Sequence, residues 1–140
     1  MTTNYRRGAD FERELARRLE YWCGAFVVRA AGSHGPCDLV AVPDSRSRRK
    51  DAWLFGRQVL LIQARADGAG RTSAWNALEE VTKHYRGLIC PAFAERDKND
   101  RTRILLTFGA MDALPWALAP VPKEVRDAKK DERRPRRAGR

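Results

Sequence analysis

The sequence predicts an α/β fold, a mixed central β-sheet flanked by helices. Three observations carry that reading. Apolar residues recur at helical spacing through 10–22, and a continuous apolar run fills 59–66. Shorter valine- or leucine-rich runs, bounded by glycine, proline or charge, punctuate the remainder.

In the first helix Phe11, Leu15, Leu19 and Trp22 share one face with charges between them, and Gly24 stands where a helix would stop. Residues 25–31 read as a strand, 32–36 (GSHGP) as a tight loop, and 37–43 as a second strand. The polar, basic stretch 44–51 reads as the tip of a hairpin. The run 59–66 is expected to be a central strand covered on both faces, since such strands lose the alternation of half-exposed ones. A glycine-containing loop follows at 67–71, and Ser73 is expected to cap a second helix over 74–86. Two more strands are expected at 88–93 and 103–108, with the charged segment 95–101 between them. The predicted order is helix, three strands, helix, two strands.

A chain of 140 residues suits a single domain, placed at 1–120. Residues 121–140 hold nine cations and four anions and almost nothing apolar, so a basic, disordered tail is expected there. No run approaches the roughly 18 apolar residues of a membrane span, and the N-terminal residues turn charged at once. Neither a span nor a signal peptide is expected, and the location is expected to be cytoplasmic. Cys23, Cys37 and Cys90 show no metal-type spacing and read as small core residues rather than a disulfide or zinc set. Lys and Arg total 28 against 18 Asp and Glu, a net charge of +10. That excess points to a polyanionic partner, nucleic acid above all, without saying what is done to it.

Four polar residues sit where chemistry would need them. Glu12 lies on the first helix beside its apolar stripe, a position that is ordinarily plain surface. Asp38 enters an apolar strand directly after a Gly-Pro loop, as a turn cap or a site residue. Gln63 and Arg65 interrupt an otherwise apolar strand and, two apart, share a face, with Asp67 continuing it. A helical carboxylate, a strand carboxylate and a polar pair on the next strand can converge on one hard cation such as Mg²⁺. The alternative is a polar core network around Asp38 and Arg65.

The segments RRGADFEREL (6–15), VVRAAGS (27–33) and DLVA (38–41) resemble the archaeal-type Holliday junction resolvases of the PD-(D/E)XK nuclease superfamily. The resemblance runs from about Arg6 to Asp67. It implies a restriction-endonuclease-like core, a nuclease domain over 1–120, and a homodimer that nicks opposed strands of a four-way DNA junction. It also implies Mg²⁺ as cofactor, with Mn²⁺ as substitute. By the same resemblance Glu12, Asp38, Gln63 and the carbonyl of Ala64 form the metal set, and Glu12, Asp38, Gln63 and Arg65 the catalytic set. Arg6, Arg7, Arg13, Arg29 and Ser33, with Arg48 and Arg49 of the basic loop, are the expected DNA contacts.

One departure stands out. The family's Glu-x-Lys falls here on Gln63-Ala64-Arg65, so an acid becomes an amide and a titratable amine becomes a guanidinium that cannot take a proton. Two other readings therefore stay open: a DNA-binding module that has lost catalysis, and a nuclease of the same superfamily acting on another DNA. His34 reads as a loop residue, and His84, Trp75 and Tyr85 as packing residues of the second helix. Arg46, Arg48, Arg49 and Lys50 read equally well as a grip on a DNA arm or a solvated hairpin tip.

Overall fold

Helix α1 spans Thr2–Cys23 and begins well before the predicted stretch. Its Phe11, Leu15, Leu19 and Cys23, four residues apart, are all but fully buried. Each such side chain contributes about 1.5–3 kcal/mol relative to exposure. Gly24, with φ 64°, ends the helix in the left-handed conformation that suits glycine. Its N–H and that of Ala25 return to the carbonyls of Glu20 and Leu19. The computed structural model describes residues 2–30, 35–44 and 58–133, with side chains from Arg7 to Ala128.

Six strands follow in chain order: β1 (Phe26–Arg29), β2 (Leu39–Val42), β3 (Val59–Ala64), β4 (Ile89–Arg96), β5 (Ile104–Phe108) and β6 (Trp116–Leu118). They form one sheet in that same order. Every neighbouring pair is antiparallel except β3 and β4, which run parallel. The parallel pair requires a crossover, supplied by helix α2 (Arg71–Thr82) and a 3-10 turn at Lys83–Tyr85. The sheet is thus mixed, with helices packed on it, as predicted.

Alternation along the strands assigns the two faces. Leu39, Ala41, Leu60, Ile62 and Ala64 join the α1 stripe in one core cluster. On the opposite face Phe93 meets Ala74 and Trp75 of α2 in a second, smaller cluster. Cys23 and Cys90 are buried and Cys37 is half-buried, and none of the three forms a disulfide among the described residues.

Several expectations are corrected. Ser73 does not cap α2: Gly70, in the left-handed conformation, precedes Arg71, and Ser73 lies inside the helix. The helix also stops at Thr82 rather than 86. Strand β4 runs three residues further than predicted, and Pro91 is tolerated in it because the β5 ladder ends at Ala92↔Phe108. Strand β6 was not expected at all. Where a disordered tail was expected from 121, Val121 is buried and helix α3 covers Lys123–Arg133. Residues 134–140 lie outside the described residues, as do 45–57 with the predicted hairpin tip. Among the described residues no helix is long and apolar enough to cross a membrane.

Candidate active site

Strands β1 and β3 finish, and β2 begins, at one end of the sheet, and most of the predicted residues meet there. Asp38 is fixed by its backbone on both sides. Ala30 N–H donates to its carbonyl at 2.9 Å, and its own N–H donates to the Ile62 carbonyl at 2.8 Å. The β2–β3 ladder stops at Leu39↔Ile62, so the Ala64 N–H beyond it is free for a side chain. Asp38 Oδ2 accepts that N–H at 2.9 Å.

Asp38 Oδ2 also accepts from Arg65 Nη1 at 3.2 Å, and the same nitrogen donates to the Ala64 carbonyl at 3.2 Å. One guanidinium nitrogen thereby bridges a carboxylate and a main-chain carbonyl. Both oxygens belong to the metal set that the resemblance implies. The Asp38 side chain is 20% exposed and that of Arg65 45%.

Glu12 enters from α1. Its Oε2 accepts from Arg29 Nη2 at 3.0 Å, with both side chains partly buried. Arg29 is the last residue of β1 and pairs with Leu39, one step from Asp38. Gln63, two residues before Arg65, alternates with buried Ile62 and Ala64 and faces the α2 side, in a groove with Gly35, Ser73, Ala74 and Ala77. Its Nε2 donates to the Pro36 carbonyl. Its Oε1 is buried and has no hydrogen-bond donor among the described residues, although Gln63 is only 6% exposed. The structure thus joins Asp38, Ala64 and Arg65 directly and Glu12 to Arg29, while the Gln63 side chain turns toward Pro36.

The donor set can be tested against a hard divalent cation. Among the described residues no three of Asp, Glu, His and Cys gather as a cage. The available donors are nevertheless all oxygen: the Asp38 carboxylate, the Ala64 carbonyl and the unpaired Gln63 Oε1, with the Glu12 carboxylate on the α1 side. An acceptor buried without a donor is costly in an apolar setting and is satisfied by a cation. Asp38 Oδ2 and the Ala64 carbonyl, which converge on the Arg65 guanidinium, offer the oxygen chemistry that suits a hard divalent cation. Burial, and then the adjacent Asp38 charge, push the Cys37 thiol above its usual value.

The other candidates fall as follows. Arg13 and Arg7 are exposed on α1, Arg13 loosely paired with Asp10 at 3.4 Å. The side chain of Arg6 lies outside the described residues, as do Ser33, His34, Arg46, Arg48, Arg49 and Lys50. Asp67 lies past the end of β3 and holds a turn by accepting Ala69 N–H at 2.9 Å. Trp75 is core, and His84 and Tyr85 are exposed.

Two ionic features were not anticipated. Glu95, assigned by sequence to a charged loop, extends β4 on the α2 face and pairs with Arg71 at 3.3 Å. Its signal was its place two residues after core Phe93. Glu14 pairs with both Arg18 and Arg96, the latter at 2.6 Å. Arg18 reaches across the fold to the Thr102 and Leu118 carbonyls, each at 2.8 Å.

The family model described as archaeal Holliday junction resolvase (Hjc) matches residues 3–54, a little over a third of the chain. The resemblance read from the sequence is therefore shown over α1, β1 and β2, with Glu12, Arg29 and Asp38 inside the match and Gln63-Ala64-Arg65 beyond it. No curated protein matches the chain significantly. Among solved structures, the 1.6 Å resolution structure of Archaeoglobus fulgidus Hjc, a Holliday junction resolvase from an archaeal hyperthermophile, aligns with 20% identity. The alignment covers 87% of this chain and 88% of that one, with a TM-score of 0.45.

Proposed function

We propose that the chain is a structure-selective DNA endonuclease that resolves four-way junctions by paired, Mg²⁺-dependent nicks, acting as a cytoplasmic homodimer. One observation carries the reading. The segment that matches the resolvase model brings Glu12, Arg29 and Asp38 to the sheet end where β3 presents Ala64 and Arg65.

Asp38, the Ala64 carbonyl, Gln63 Oε1 and Glu12 would hold Mg²⁺, or Mn²⁺ in its place. Bound there, the ion supplies a water of lowered pKa and positive charge against the phosphate. Arg29, oriented by Glu12, and exposed Arg13 and Arg7 would pair with backbone phosphates in the bidentate manner of guanidinium. Arg65 steadies negative charge developing on the attacked phosphate but serves as no base, since a guanidinium donates hydrogen bonds and offers no acceptor.

Paired nicks require two such sites about a two-fold axis. Exposed apolar side chains that favour a second copy lie on β1 and β2, where Phe26 faces Val42 and Val28 faces Val40 on the side of the sheet that carries α2. The interface is therefore expected over this strip and α2. Light scattering at micromolar concentration should give twice the monomer mass of 15.9 kDa, and a monomer with and without junction would rule the dimer out.

The direct test incubates the protein with a labelled four-way junction and a matched linear duplex, each with Mg²⁺ and with EDTA. Symmetric nicks in the junction alone, and only with Mg²⁺, are expected. Tight junction binding without nicks would favour the second reading, a DNA-binding module without catalysis, which the Arg65–Asp38 ion pair motivates. Equal cutting of the duplex would replace the substrate.

A further inference from the structure

We propose that the Arg65 guanidinium competes with a divalent ion for the oxygens of Asp38 and Ala64, and that a DNA phosphate that takes the guanidinium over eases the ion's entry. The identity of the phosphate rests on the resolvase reading; the seat between those oxygens rests on geometry.

The guanidinium stands where a bridging cation would stand. Nη1 lies 3.2 Å from both Asp38 Oδ2 and the Ala64 carbonyl. A metal ion binding those two oxygens must displace that nitrogen, and the single Asp38 carboxylate cannot neutralise a divalent ion and a guanidinium together. Two residues earlier on the same strand, the buried Gln63 Oε1 has no hydrogen-bond donor among the described residues.

The seat is also built to open. Arg65 is 45% exposed, so its side chain can swing into solvent without disturbing the core. Asp38 stays in place when it does, held by the Ala64 N–H and by two backbone bonds. A phosphodiester offers the guanidinium a bidentate partner that a single carboxylate oxygen does not. Metal entry and DNA binding are therefore coupled in the same direction, and the coupling is reciprocal. An amine in this position, the side chain the resemblance leads one to expect, would present one compact charge instead of a planar fork. The arginine makes the site depend more strongly on substrate for its metal.

Arg71 supplies the control. It carries the same charge on the α2 face but is anchored to Glu95 at 3.3 Å and to the Met111 carbonyl at 2.6 Å, away from Asp38. Mn²⁺ binding to the full chain without DNA is followed by loss of the free-ion paramagnetic resonance signal. Arg65→Ala should bind about tenfold tighter than the unaltered chain, the scale of one charge-assisted contact removed. Arg71→Ala should differ by about twofold or less, as a screened distant charge does. In EDTA, adding a synthetic four-way junction should shift the Arg65 guanidinium ¹⁵N resonances. No tightening in Arg65→Ala, equal tightening in both variants, or an unmoved Arg65 resonance with junction bound would each overturn the proposal. Junction nicking is scored separately. Its absence alongside a tenfold Arg65→Ala effect would defeat the resolvase reading and leave the seat standing, while nicking without that effect would defeat the seat alone.

Discussion

Glu12 and Glu14 sit two residues apart on α1, and both are ion-paired to arginine, yet their surroundings give them opposite roles. Glu14 is held by Arg96 and by Arg18, whose side chain is only 3% exposed and whose other nitrogen joins two carbonyls from the far end of the chain. Glu12 is held by Arg29 at the open end of the sheet, near Asp38 and a half-exposed Arg65. The first arrangement uses arginine as a strut, tying α1 to the β4–β5 turn and to β6. The second leaves arginine where it can exchange a carboxylate for another anion. Salt bridges on one helix thus divide by what the cation does next, not by the pair itself.

The comparison breaks most sharply on chemistry. Asp38→Asn should lower the nicking rate about a thousandfold, roughly 4 kcal/mol of barrier. It should leave junction affinity unchanged or slightly higher, since a negative charge leaves the proposed DNA face. Glu14→Gln should leave the rate per folded molecule unaltered. Single-turnover nicking beside a gel-shift titration measures both, and an Asp38→Asn protein cutting near the original rate would remove Asp38 from the site.

Stability should divide the other way. Arg18→Met leaves the Thr102 and Leu118 carbonyls and one oxygen of Glu14 without their donor, at a cost of about 3 kcal/mol. Glu12→Gln removes a partly exposed pair and should cost about 1 kcal/mol or less. Denaturant unfolding of the two variants tests the division, and equal losses would erase it.

The strut should also be readable in acid. Burial raises the Glu14 carboxyl, but hydrogen bonds and charges from Arg96 and Arg18 outweigh it and hold the group below the usual carboxylate range. Burial lowers the Arg18 guanidinium, which stays charged. A carboxyl whose folded value is depressed stabilises above its unfolded value, near about 4.3, and that stability is lost as pH falls through the folded value. Glu14→Gln should therefore be less stable near neutrality, and the gap should narrow below about pH 4.3. A gap constant from pH 7 to pH 3 would show that the carboxylate charge contributes nothing.

The same division explains what was legible in the sequence. Asp38, Gln63 and Arg65 stood out because polar side chains interrupt apolar strands, and that local contrast survives in a linear reading. The Glu14–Arg18–Arg96 strut did not. Its i, i+4 pair looks like any surface pair, and its other contacts lie 82 to 100 residues away. The clue was Arg18 itself, which falls between Leu15 and Leu19 on the buried side of α1. Strand β6 was hidden by its length, three residues between Pro115 and Pro120, too few to alternate. Helix α3 was hidden by composition. Its Lys, Glu, Asp and Arg suit a solvated tail, yet Lys, Glu, Arg and Ala are also good helix formers, and Pro122 sits where a helix can start. The Val125 and Arg126 amides do return to the Pro122 carbonyl.

The smallest effect should come from Gln63→Glu, and it sharpens the comparison at the site's most buried polar group. In the present chain Gln63 Nε2 donates to the Pro36 carbonyl while Oε1 has no donor among the described residues. A carboxylate turns the donor into a second acceptor facing that carbonyl, which should cost about 1 kcal/mol without metal. The added negative charge is what a divalent cation seeks, so Mg²⁺ should restore the loss by mass action on the folded state. The expected result is a lower melting temperature than the unaltered chain in EDTA, recovery in millimolar Mg²⁺, and nicking retained at lower Mg²⁺. Lys83→Gln, in the exposed 3-10 turn that follows α2, should show no such metal dependence. If Gln63→Glu melts at the same lower temperature with and without Mg²⁺, Gln63 faces no metal and its carbonyl is simply unpaired.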